Sequence, residues 1–347
     1  MKAMILKGPM DLAYEEVPDP ICPNDGIVIK IDACGICGSD LRTYQGDSQG
    51  TVYPSILGHE ISGTVTESNN GCFPIGTKIS VAPVVPCGEC WYCKRGIENL
   101  CENLRMIGIG RGIPGGFAEY MSLPGDILAK GCINVIEEGV DSVEAVLSET
   151  ASSCLNAQEN AGIGMKDELV LIIGSGTIGC LHSDIAELRG VTETLIIDMS
   201  ADKVKIAHEQ GFKNVLNLGS NSKELKNMVF NKTEGRGADI VICACPSGQA
   251  QADALNLVRK RGKVIFFGGI SKGTLVPLNT NLIHYNEINI YGASAYTPII
   301  NKMAFNLIKN KRIDAKKYIT HRYQLKDLNL AFDEMKRGLM IKGVVIP

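Results

Sequence analysis

Apolar residues in the first third of the chain fall in short runs, as at 27–31 and 61–65, cut by polar residues, glycines and prolines. Such runs between turn-forming residues predict a β-rich region with many turns. From about Ala151 the pattern changes. Leu169–Ile173 is an unbroken apolar run, the mark of a strand buried on both faces, and a glycine turn and a helical stretch over 178–189 follow it. The alternation then continues through a strand over 194–198, a helix over 201–210, a strand over 214–216 and a helix over 222–230. Next come a strand over 239–243, a helix over 249–258 and a strand over 263–267. Strand and helix in strict alternation predict a parallel sheet wound on both faces. After Gly292 the rhythm loosens into helices over 298–309 and 328–336 and a last strand over 343–346. The α/β region reads as an insertion, with the C-terminal stretch returning to the β-rich part. The expected division is residues 1–150, completed by 294–347, and residues 151–293.

Length agrees with this division, since 347 residues exceed one ordinary core. The net charge of −3, with no basic tract, speaks against nucleic acid and anionic membranes as partners. No apolar stretch approaches the roughly 20 residues that cross a bilayer. The N-terminus lacks the apolar run of a signal peptide, so a cytoplasmic protein is expected. Its thirteen cysteines then point to thiols and metal ligands, not disulfides.

Four of those cysteines, Cys87, Cys90, Cys93 and Cys101, follow a C-x2-C-x2-C-x7-C spacing. Thiolates this close in sequence can converge on one tetrahedral zinc. A closed set of four sulfurs leaves no position for a substrate, so this zinc is expected to be structural.

The turn Gly174-Ser-Gly176-Thr177-Ile178-Gly179 follows a predicted strand and opens a predicted helix. Its glycines suit a tight turn, the approach of backbone to a pyrophosphate, and close packing of helix on strand. Thr177 and Ile178 begin the helix, whose free N–H groups would meet the phosphates. Asp198 ends the next strand, placed to accept hydrogen bonds from the ribose hydroxyls and to repel a 2′-phosphate. NAD is therefore expected over NADP. A glycine turn kept for packing and an aspartate capping a helix is the plainer alternative.

A second metal site is suggested upstream, where Cys37 precedes Ser39 and Asp40, His59 precedes Glu60, and Glu149 lies near the junction of the two regions. Mixed sulfur, nitrogen and oxygen donors with an exchangeable position make a catalytic zinc pattern. Singly, each has a duller reading: a packed cysteine, a core histidine, solvated acids. The pair Cys34 and Cys37 could instead be a redox dithiol; Cys34 is read as packing.

At these residues the chain resembles the zinc-dependent medium-chain alcohol and polyol dehydrogenases. The likeness runs through Cys37-Gly-Ser39-Asp40, Gly58-His59-Glu60, the four-cysteine lobe, the glycine turn and the closing Gly-Val-Val-Ile-Pro. Stretches 155–159, 266–269 and 281–287 are similar to those of sorbitol dehydrogenases. The resemblance implies an α/β fold class, a GroES-like β-rich catalytic domain with both zincs plus an inserted Rossmann domain. It implies Cys37 and His59 as ligands, with Glu60 or Glu149 completing the set. Asp40 would orient His59, and Ser39 would touch the substrate oxygen and begin a proton relay. Zinc would act as Lewis acid and NAD as hydride carrier, in a homodimer or homotetramer. This chain has Thr150 where proline is usual, Arg42 where many relatives have a relay histidine, and Ala295 in the place of a polyol-binding arginine. A polyol or sugar alcohol is the expected substrate. A simple secondary alcohol or threonine is the second reading, and a non-catalytic nucleotide-binding module the third.

Overall fold

The computed structural model describes residues 1–48 and 50–347. It divides into two compact units, one of residues 1–152 and 295–347, the other of residues 153–294.

The first unit is built on a seven-stranded sheet, mostly antiparallel. Ile27–Gly35 is its hub, pairing antiparallel with Glu60–Ser68, with Tyr120–Leu123 and with Lys342–Ile346. Lys78–Ala82 and Cys132–Val135 extend the sheet on one side, and Ile319–Gln324 lies parallel to Lys342–Ile346 on the other. The core behind it joins Ile29, Ile61, Ile79, Phe117, Phe332 and Val345, all buried. Two register pairs decide what this sheet brings together. Gly35 lies opposite Glu60 on one side and opposite Val344 on the other. The ends of three strands therefore meet at Gly35, and Cys37 and His59, just beyond two of them, converge with Lys342, the first residue of the third.

In the second unit six strands are all parallel, in the spatial order Val215–Asn217, Glu193–Asp198, Leu169–Ile173, Ala238–Cys243, Val258–Phe266, Asn289–Gly292. Leu169–Ile173 is buried throughout, as its unbroken apolar run requires. The winding order reverses between Leu169–Ile173 and Ala238–Cys243. That switch point, at the carboxyl ends of the strands, is where doubly wound sheets take ligands. Helices Ala201–Glu209 and Lys223–Lys232 start on serine N-caps, Ser200 and Ser222, whose side chains accept backbone N–H bonds.

One predicted element differs in extent. The helix expected over 249–258 spans Gly248–Ala254, and Val258 already belongs to the next strand, opposite Ala238. Leu255, Leu257 and Val258 are buried in the same core, so their apolar character did not reveal the change from helix to strand. Leu147–Ala161, Thr280–Asn286, Asn289–Gly292 and Ile319–Gln324 were not predicted.

Candidate active site and nucleotide turn

Cys37 sits at the N-terminus of the short helix Gly38–Tyr44, immediately past the hub strand. Its sulfur, a ring nitrogen of His59 and a carboxylate oxygen of Glu60 all lie within 4.8 Å of one another. Asp40 ties two of these residues together. Its Oδ1 lies 3.1 Å from His59 Nδ1, and its Oδ2 accepts the Cys37 N–H at 2.9 Å. With Nδ1 turned to the carboxylate, Nε2 is the nitrogen left for a metal, which is how an outer carboxylate fixes a ligand histidine. Burial works against charge on His59, but the Asp40 carboxylate and the Cys37 sulfur together outweigh it and hold the imidazole pKa well above its usual value. Ser39 places its hydroxyl 3.2 Å from Nε2 and is only partly buried.

Glu60 is fully buried and lies against the ammonium of Lys342, itself 2% exposed. Lys342 hydrogen-bonds Oε1 and touches Oε2, on which no hydrogen bond is aligned. Burial opposes charge on Lys342, yet the Glu60 carboxylate prevails and raises its pKa. Thr150 donates to Glu60 Oε1 at 2.9 Å. Gly35 is required beside this pair, because a Cβ there would stand 2.0 Å from Glu60 Oε2.

Glu149 lies outside the set of donors within 4.8 Å. Its Oε1 accepts the hydroxyl of the fully buried Tyr296 at 2.8 Å. Burial, with His59 opposing and Glu60 assisting, pushes its pKa up to about 7. A divalent cation at Cys37 and His59 would draw it down again. Arg42 is exposed on the helix Gly38–Tyr44, and Cys34 is buried outside the donor set.

Lys342 and Tyr296 were not singled out from the sequence. A lysine inside the apolar stretch 341–346 was the available signal, since a charge pointing into a core demands a partner. Tyr296 offered no signal.

In the lobe, the sulfurs of Cys87, Cys90, Cys93 and Cys101 also lie within 4.8 Å of one another. The short ribbon Val84–Val85 with Arg105–Met106 closes its base. Backbone N–H groups aim at the sulfurs, among them Cys87 N at 3.2 Å from Cys101 Sγ and Cys90 N at 3.4 Å from Cys87 Sγ. N–H groups of Cys93 and Glu102 lower the Cys90 thiol to about 6, whereas burial pushes the Cys93 thiol up to about 12 and raises Cys101. Thiolate-favouring donors around four convergent sulfurs fit zinc.

In the second unit the glycine turn follows Leu169–Ile173, and Thr177 and Ile178 open the helix Thr177–Leu188. Gly174 has φ +114°, a conformation for which glycine is the default. A Cβ on Gly179 would lie 1.8 Å from Gly174 O, so helix and turn could not pack. At Gly176 nothing lies within 4 Å of a built Cβ, and the backbone there is open to a ligand. Asp198 receives the Ser175 N–H and hydroxyl on Oδ2, at 2.8 and 3.1 Å, and the Ser200 N–H on Oδ1 at 2.9 Å. It is tied to the turn it faces.

Residues 23–133 match the alcohol dehydrogenase GroES-like domain, and residues 177–310 match the zinc-binding dehydrogenase family. An uncharacterized zinc-type alcohol dehydrogenase-like protein of Haemophilus influenzae is 30% identical, over 92% of this chain and 90% of its own. The chain belongs to the zinc-dependent medium-chain alcohol and polyol dehydrogenases. A sorbitol dehydrogenase of Halalkalibacterium halodurans is 29% identical to this dehydrogenase, over 100% of this chain and 99% of its own. A solved structure of a zinc-binding dehydrogenase from Sinorhizobium meliloti, bound to NADP, superposes with a TM-score of 0.89. The two are 27% identical, with 100% of this chain and 99% of that one covered. This dehydrogenase is an oxidoreductase that uses zinc and a nicotinamide cofactor, and its two-unit architecture is that of the family. Among the described residues no helix is long and apolar enough to cross a membrane.

Proposed function

We propose that this dehydrogenase interconverts a secondary alcohol of a polyol or sugar alcohol with the corresponding ketone, using NAD and two zinc ions per chain. The observation that carries this reading is the convergence of one sulfur, one imidazole nitrogen and one carboxylate oxygen within 4.8 Å. Cys37, His59 and Glu60 would hold the catalytic zinc, and Cys87, Cys90, Cys93 and Cys101 the structural one. Bound zinc supplies a Lewis acid for the substrate oxygen, and the nicotinamide supplies the hydride acceptor.

The chain's own residues do the rest. Asp40 keeps the His59 ring in one orientation. Ser39, beside His59 and partly exposed, is placed to pass the hydroxyl proton towards solvent. Glu149, held by Tyr296, adds a second buried carboxyl near the same donors. In the second unit Gly174, Gly176, Thr177, Ile178 and Gly179 would cradle the pyrophosphate, and Asp198 would face the ribose hydroxyls. A carboxylate facing the ribose would repel a 2′-phosphate, and this supports NAD. The sorbitol dehydrogenase relative supports the polyol class. A homodimer or homotetramer in the cytoplasm completes the proposal.

The test is a panel of polyols, ketoses, simple alcohols and hydroxy amino acids with NAD and with NADP, run on protein of measured zinc content. Two zincs per chain and NAD-linked oxidation of a polyol are expected. Turnover confined to other alcohols, or with NADP alone, would contradict the substrate or the cofactor assignment.

A further inference from the structure

Thr150 follows Glu149 in the helix Leu147–Ala161, and its hydroxyl makes two contacts at once. It donates to Glu60 Oε1 at 2.9 Å and accepts from Lys342 Nζ at 3.1 Å, while Lys342 also donates to Glu60 Oε1. All three side chains are buried, with Thr150 3% exposed, Lys342 2% and Glu60 0%. A hydroxyl offers one donor and two acceptor lone pairs, so one group can serve an anion and a cation together. We propose that Thr150 is a positioning residue for the metal centre, its hydroxyl locking Glu60 and Lys342 into one unit that presents Glu60 to Cys37 and His59.

The Lys342 ammonium touches both oxygens of Glu60, and two buried opposite charges attract each other strongly. The Thr150 hydroxyl closes a triangle, a third contact that ties the carboxylate and the ammonium in one orientation. It also commits Oε1 to the protein. Oε2 carries no aligned hydrogen bond, although the Lys342 ammonium lies against it as well. Three distant parts of the chain supply the triangle, with Glu60 and Lys342 282 residues apart and Thr150 delivered on the turn that also carries Glu149.

This inference rests on the reading of Cys37, His59 and Glu60 as a metal site, and the experiment separates the two. Full-length wild type, Thr150→Val and Thr150→Ser are loaded with zinc. Zinc release to a chromophoric chelator is followed alongside total zinc per chain. Thr150→Val keeps the shape and removes the hydroxyl; Thr150→Ser keeps the hydroxyl. Loss of a partner outside the ligand set typically costs 10–100-fold in metal affinity. Thr150→Val should therefore release the Cys37-centre zinc at least about tenfold faster, while the four-cysteine lobe keeps its ion. Thr150→Ser should restore the wild-type rate. Release from Thr150→Val at the wild-type rate would overturn the proposal, as would Thr150→Ser releasing as fast as Thr150→Val. If Thr150→Val fails to fold, shown by loss of zinc from the lobe as well, Thr150→Ala carries the same expectation. Wild-type protein that binds no zinc at Cys37 would overturn the functional reading and this proposal together.

Discussion

One carboxylate, Asp40, reaches two metal-binding candidates: it bonds the Cys37 N–H and the His59 ring. Asp40→Ala is therefore expected to lower both zinc affinity and turnover by about 10–100-fold. Zinc titration and steady-state kinetics check this, and unchanged zinc affinity would contradict it. Asp40 and His59 were legible in the sequence because their chemistry lies in short motifs. Tyr296 and Lys342 were not, because each meets its carboxylate across a long loop, 147 residues in the case of Tyr296 and Glu149. Contacts of that kind leave no spacing to read. A different residue, a buried histidine, is expected to contribute to the response to acid. His182 is fully buried on the helix Thr177–Leu188, and burial lowers its pKa to about 3. Its folded-state pKa lies below the unfolded value of about 6.5. Below that pH the unfolded chain gains a proton that the folded one refuses, so stability falls as pH drops from about 6.5 towards 3. The slope from this group is at most about 1.4 kcal/mol per pH unit. Denaturant unfolding at pH 7 and pH 5 should show the loss in wild type and a smaller one in His182→Gln. Equal losses would assign the acid sensitivity elsewhere.

Among the elements, the glycine turn offers a contrast between two substitutions of the same size. Gly179→Ala drives a Cβ into Gly174 O and should cost both stability and nucleotide binding. Gly176→Ala meets open space and a φ of −75°, so the melting temperature should hold while nucleotide affinity falls. Thermal melts with and without cofactor separate the two. A Gly176→Ala protein with wild-type affinity would mean the pyrophosphate does not approach there. In the zinc lobe, Cys93→Ala should lower the melting temperature sharply, because a structural zinc contributes on the order of 10 kcal/mol; an unchanged melt would remove the lobe from the stability account. The turn and the lobe were readable because each is local, its residues a few positions apart. The extent of Gly248–Ala254 was not, since helix and strand residues there share one core. Leu147–Ala161 also passed unseen. Its stretch of serine, threonine, asparagine and glutamine carries no clean apolar stripe, and tertiary packing, not propensity, makes it a helix.

At the scale of the whole molecule, two sheets of opposite character divide the work. The antiparallel sheet of the first unit brings three strand ends to Gly35, which gathers the donors of residues 37, 59 and 60 beside the Lys342 ammonium. The parallel sheet of the second unit reverses its winding beside the glycine turn. The α/β alternation foretold five of the six strands of the second sheet; the edge strand Asn289–Gly292, mostly exposed, carries no such apolar run. The order of strands in the first was hidden, since antiparallel pairing across long loops follows from packing. The most direct test of the central claim is a crystal structure of the zinc-loaded protein with anomalous data at the zinc edge. Two peaks per chain are expected, one among the four lobe sulfurs and one bounded by Cys37 Sγ, His59 Nε2 and a Glu60 oxygen. A single peak in the lobe, with no metal between Cys37 and His59, would contradict the account.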